Sequence, residues 1–219
     1  MIEKGPAREC DMVAAFLQAE ASSPRFAGSF VPILEGNGLS RADLIDSPDL
    51  ENEAHNQLRR SILRAYRGFG ANTFLFTRFP TDATWRFVEI EPADHARLVF
   101  ARESSWLELS DSTRSVIHLA EKIAKTESPR DPVDHIRGIQ RVLAEGKVLP
   151  PFSAVEGTDS ALILVEGHCR ATAYVGLHWE NNIPAFVRIC GQDARVVFLL
   201  NFQKQLIMLK KCGRGEHRC

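Results

Sequence analysis

Ala161-Leu162-Ile163-Leu164-Val165-Glu166-Gly167-His168-Cys169-Arg170-Ala171-Thr172-Ala173 joins an unbroken apolar run to a carboxylate, a glycine and a basic turn. Residues 161–165 are apolar at every position, the pattern of a strand covered on both faces. A helical stretch, Ala171–His178, follows the basic turn. A strand that turns at once into a helix presents unpaired backbone N–H groups and the positive helix end at one point. Gly167 permits close backbone approach there, and Arg170 adds a permanent forked cation. Together they predict a phosphate cradle formed by Gly167, His168, Cys169 and Arg170. Glu166, at the strand's end, is placed to hold a metal ion or to accept a proton. His168 is placed to hydrogen-bond a phosphate or to act as an acid–base group near neutrality. Thr172 either adds a hydroxyl to the phosphate or packs in the first turn. A plainer arrangement is also compatible with these residues: an ion pair between Glu166 and Arg170, with His168 satisfied locally.

Working outward, Phe152–Val155 and Ala161–Val165 read as a hairpin closed by Gly-Thr-Asp-Ser, and Ile183–Ile189 reads as a further strand. Asp131-Pro132-Val133-Asp134 has the form of a helix start, with Asp131 as cap and Gly146 as terminator. Lys147 follows and is within reach of the same ligand. Trp85–Glu91 and Phe74–Phe79 read as strands, Pro92–Arg102 and Asp111–Lys125 as helices. Ser47-Pro48 opens a helix with Arg60, Arg64 and Arg67 opposite its apolar face. Asp11 caps a short helix carrying Phe16 and Leu17, a loop runs through about residue 38, and Asp193–Lys211 reads as a closing helix. Helices and strands mix without regular alternation, which predicts an α+β fold.

From about Asp131 to Ile189 the chain resembles the ParB/sulfiredoxin superfamily. The matching order is a capped helix ending in Gly146, Leu149-Pro150-Pro151, a hairpin, and the Gly167-x-x-Arg170-x-x-Ala173 box, followed by Ile183-Pro184-Ala185-Phe186-Val187. The resemblance implies a mixed sheet with flanking helices, in which the box binds nucleotide phosphates. It divides the chain into an N-terminal, mostly helical elaboration (1–83), a nucleotide-binding core (84–192) and a C-terminal helix with a basic tail (193–219). Sulfiredoxins place the reactive cysteine directly after the glycine. Here that position is His168, and a shift of one residue turns the Cys169 thiol by about 100°. Partition clamps carry a more basic box and a sizeable DNA-reading domain after it, for which Ala194–Cys219 is too short. Glu166-Gly167-His168 resembles the free-serine kinases best. The resemblance therefore implies an ATP-dependent phosphotransferase or nucleotide hydrolase that uses Mg²⁺ and a small hydroxylated acceptor. Glu166 and His168 would be catalytic, and Glu166 would hold the metal. Glu103 is a second carboxylate candidate.

The alternative is a nucleotide-responsive module that binds DNA or protein without turnover. It draws on Arg60, Arg64 and Arg67 and on the tail residues Lys204, Lys210, Lys211, Arg214 and Arg218. A formal net charge of −1 over 219 residues supplies no global field for a polyanion. The composition, 44% hydrophobic and 25% charged, is that of a globular chain. No apolar run approaches the ~20 residues of a membrane span, and Met1–Pro6 lacks an export pattern, so a cytoplasmic protein without membrane contact is expected. The five cysteines have no framework spacing. Neither Cys212, His217 and Cys219 nor His168, Cys169 and His178 match a zinc pattern.

Overall fold

The computed structural model describes residues 1–23, 27–77, 79, 84–127, 131–157, 159–177 and 181–189. Among them a six-stranded mixed sheet runs in the order β1-β2-β6-β4-β5-β3. Its strands are β1 (Ile2–Ala7), β2 (Thr84–Ile90), β3 (Leu98–Phe100), β4 (Phe152–Glu156), β5 (Leu162–Glu166) and β6 (Ile183–Ile189). The β4–β5 hairpin and the β1–β2–β6 pairings are antiparallel, whereas β4–β6 and β3–β5 are parallel. The fold class is thus α+β, as the sequence predicts.

Helices cover both faces. On one side α1 (Glu9–Ser22), α2 (Ala27–Gly36) and α3 (Glu53–Arg67) pack over Trp85, Val155, Ile163, Val165 and Phe186. On the other, α5 (Val116–Ala124), α6 (Val133–Ala144) and α7 (His168–Gly176) cover Val88, Ala154, Leu162, Leu164 and Val187. Alternate β5 side chains therefore enter different cores, which is why this strand has no polar face. No helix among the described residues is long and apolar enough to cross a membrane.

Several predicted elements are corrected. Ile2–Ala7, for which the sequence predicts no element, is a sheet strand paired with β2. Arg8, not Asp11, is the N-cap of α1; Asp11 sits in the first turn and accepts from the Arg8 amide at 2.7 Å. The predicted loop before residue 38 contains α2, with Pro32 inside it. Helix α3 starts at Glu53 rather than after Ser47, because Asp49 accepts from the Glu51 amide at 3.0 Å, a local turn that competes with helix, and Asn52 caps instead. Phe74–Phe76 is a short 3₁₀ turn rather than a strand; Phe76 packs between Phe69 and Phe79 at centroid distances of 4.8 and 5.0 Å. The stretch from Pro92 is a 3₁₀ turn to Arg97 followed by β3, since Leu98 and Phe100 bury as a strand against β5.

The predicted helix Asp111–Lys125 begins only at Val116. Asp111, Ser112 and Arg114 have φ of 51°, 64° and 63°, and Ser115 caps the His118 amide. A separate helix, α4 (Ser104–Leu109), precedes them. The N-cap position of α6 is Pro132 rather than Asp131. Helix α7 begins at His168, three residues ahead of the predicted Ala171. His178, the predicted closing helix 193–211, the basic tail and Cys212, His217 and Cys219 lie outside the described residues.

Candidate functional site at the β5–α7 turn

The site is built where β5 ends. Gly167 has φ +86°, a left-handed conformation, and a Cβ there would lie 2.4 Å from Phe152 Cβ. No other residue fits without moving β4, so the glycine is fixed by both torsion and space. It lets the chain pass directly from Glu166 into α7, where the first ladder bond is Ala171 N–H to Gly167 O at 2.8 Å. No side chain caps this helix. The amides of His168, Cys169 and Arg170 thus belong to the set that a helix cannot pair within itself.

Arg170 in the first turn of α7 and Glu166 at the end of β5 form an ion pair across Gly167, their side chains only 10% and 11% exposed. Burial pushes the Glu166 carboxyl up to about 7, although Arg170 opposes the shift. The plain ion pair foreseen from the sequence therefore exists, but it does not satisfy Arg170, whose buried Nε has no hydrogen-bond partner. His168 is not satisfied either. Its ring stacks on Trp106 at 4.9 Å and lies 6.0 Å from Phe100, and its Nε2 is buried without a partner. Burial, with Arg67 and Arg170 adding repulsion, pushes His168 down to about 3, so the imidazole is uncharged at neutral pH.

These residues line a cleft of about 470 Å³. Its opposite wall comes from the N-terminal layer: Phe16 and Glu20 of α1, Arg67 of α3, and Leu75. Arg67 and Glu20 pair at 2.6 Å, and burial raises the Glu20 pKa. Glu103, Trp106, Asp131 and His135 complete the rim.

The structure thus brings Glu166, Gly167, His168, Cys169 and Arg170 together, with Glu103 beside them. The Cys169 thiol is not in a disulfide. Thr172 and Lys147 are not cleft residues. Thr172 is fully buried and donates to His168 O at 2.8 Å, while exposed Lys147 pairs with Glu145 at 3.0 Å. Arg60 donates to Glu9, and Arg64 donates to Gly70 O at 2.8 Å. Among the described residues no cluster of three or more metal-ligating groups occurs.

Sequence reasoning placed Arg67 on an outer basic stripe and Asp131 at a helix cap, and it passed over Glu20, Trp106 and His135. Glu20 did carry a signal: it is the lone acid of the largely apolar stretch Met12–Ala21, and a buried carboxylate of that kind calls for a partner. Trp106 carried none, because α4 has no buried residue of its own to mark a face. Comparisons with protein-family models, curated proteins and solved structures found no match to this chain.

Proposed function

We propose that the cleft binds the phosphates of ATP or another nucleotide at Gly167–Arg170 and catalyses phosphoryl transfer to a small hydroxylated acceptor, or to water. The observation that carries this reading is Arg170: nine-tenths buried at an uncapped helix start, lining an open cleft, and still holding an unpartnered Nε. Burying a guanidinium with an unmet donor is costly unless an anion completes it. The box Gly167-x-x-Arg170-x-x-Ala173 and the preceding Glu166 align this reading with the free-serine-kinase branch of the ParB/sulfiredoxin superfamily.

The residues present fit a nucleotide with Mg²⁺. Glu166 and Glu103 are carboxylates on the same cleft, and Gly167, His168, Cys169 and Arg170 line it at the start of α7. Mg²⁺ keeps much of its water shell and needs only one or two such groups, so the lack of a three-ligand cluster is no obstacle. When bound, the ion would neutralise phosphate charge. The chain's own part is positional. A phosphate accepting from Arg170 competes with Glu166 for the guanidinium. The carboxylate so released, which burial already makes more basic than an exposed one, takes the proton from the attacking hydroxyl as its oxygen bonds to the phosphorus and the nucleotide leaves one phosphate shorter. His168, neutral in its stack, serves as an uncharged hydrogen-bonding group. Arg60 and Arg64, on which a nucleic-acid-binding role would draw, already contact Glu9 and the Gly70 carbonyl.

A thermal-shift screen of ATP, ADP, GTP and inorganic phosphate, with and without Mg²⁺, tests the reading, since a ligand of the native state raises Tm. A nucleotide should raise Tm in the presence of Mg²⁺. Glu166→Gln should then leave affinity within a few-fold but cut turnover by ~10²-fold or more. Equal turnover in this variant would remove Glu166 from catalysis. No shift with any nucleotide would remove the reading.

A further inference from the structure

We propose that the indole of Trp106 is the platform on which the base of the nucleotide stacks, so that the cleft selects a purine nucleotide over its phosphate chain alone. This rests on the phosphate reading above and adds the other half of the ligand. Three rings meet at this wall. Trp106 lies 4.8 Å from Phe100 at 13° and 4.9 Å from His168 at 11°, while Phe100 and His168 are 6.0 Å apart at 13°. Rings on opposite faces of an indole would be separated by two contact spacings, about 7 Å or more. At 6.0 Å, Phe100 and His168 must lie side by side against the same face of Trp106.

The second indole face meets no ring and no cation among the described residues. Trp106 is half-buried and lines the cleft, and the base is assigned to the face opposite Phe100 and His168. The flat, uncharged His168 ring holds the indole from behind, which preorganises the platform at low entropic cost. Its attachment to the first residue of α7 also fixes the platform directly beside the phosphate turn.

The charge of the cleft favours such a contact. Glu20, Glu103, Asp131 and Glu166 line it against Arg67 and Arg170, each of which already has a carboxylate partner. The phosphate chain therefore gains little from net charge beyond its contact with Arg170, whereas a stacked base adds affinity without charge. Purines present the larger π-face, and stacking tolerates either purine.

The test is a calorimetric titration of the full chain with Mg–ATP and with Mg–tripolyphosphate, in the parent, Trp106→Leu and Trp106→Phe. The parent should bind ATP about ten-fold or more tightly than tripolyphosphate. Trp106→Leu should abolish that preference while keeping tripolyphosphate affinity within two-fold, and Trp106→Phe should restore most of it. Equal parental affinity for the two ligands overturns the proposal while leaving the phosphate site standing, as does unchanged ATP affinity in Trp106→Leu. Equal losses for both ligands, not rescued by Trp106→Phe, assign Trp106 a purely structural role and also overturn it. Binding of neither ligand by the parent overturns the phosphate reading and this one with it.

Discussion

Gly167 shows how much a single position can decide. Its φ of +86°, and the 2.4 Å that would separate a Cβ from the Phe152 side chain, leave no relaxed pose for any larger residue. Gly167→Ala should therefore cost about 2–4 kcal/mol, combining backbone strain with overpacking, as read from urea unfolding. A cost below about 1 kcal/mol would show that β4 yields easily and that the turn is not rigid. Glu166 and His168 make a second, opposed pair of demands. Glu166, raised to about 7 in the fold, contributes stability that is fully present below its ordinary value of 4.5 and is lost as pH rises through 7. His168, lowered to about 3, contributes stability that is present above 6.5 and is lost as pH falls through 3. Between about pH 4.5 and 6.5 the native pair keeps one proton on the carboxyl where the unfolded pair keeps one on the imidazole, so the two slopes cancel. Each single variant should expose the other's slope. Stability of Glu166→Gln should rise with pH across this window, and that of His168→Asn should fall, in urea unfolding from pH 4.5 to 7. Parallel pH profiles for the parent and both variants would contradict the burial of these groups.

Among the elements, β5 is buried on both faces. Leu162 and Leu164 enter one core and Ile163 and Val165 the other. Leu164 is fully buried, so Leu164→Ala should cost about 2–5 kcal/mol in urea unfolding, whereas Val148→Ala, at a site 88% exposed, should stay within about 0.5 kcal/mol. A small cost at Leu164 would mean that the strand is not packed on both faces. The same run made β5, its hairpin partner and the turn into α7 legible, because the pattern is local and its two-sided burial needs no other part of the chain to be known. Helix starts were less legible. Pro48 and Asp49 form a helix opening in one dimension, but Asp49 spends its carboxylate on the Glu51 amide, and Arg59 holds the Asp49 and Leu44 carbonyls from a later turn. Phe74–Phe79 has strand composition, yet aromatic packing with Phe69 overrides it. The helix-start pattern lost to a competing local turn held further by Arg59, and the strand pattern lost to packing on Phe69.

At the scale of the whole molecule, the N-terminal layer is part of the site. Glu20, Arg67 and Phe16 reach the cleft only because α1 and α3 lie across the sheet face opposite α7. That explains why the facing wall of the cleft could not be read from the motif: Gly167-His168-Cys169-Arg170 specifies its own turn, whereas Phe16, Glu20, Arg67 and Leu75 are brought to it by packing between parts of the chain far apart in sequence. The same assembly gives the central claim its sharpest test, because the buried Arg170 is held by the fold and not by the ligand. Calorimetric titration of Mg–ATP into the parent and into a folded Arg170→Ala variant measures it directly. Saturable binding by the parent, weakened about ten-fold or more in Arg170→Ala, is the expected result for loss of a charge-assisted hydrogen bond. Equal affinity in the two proteins, or no binding by the parent, would contradict a phosphate site at the β5–α7 turn.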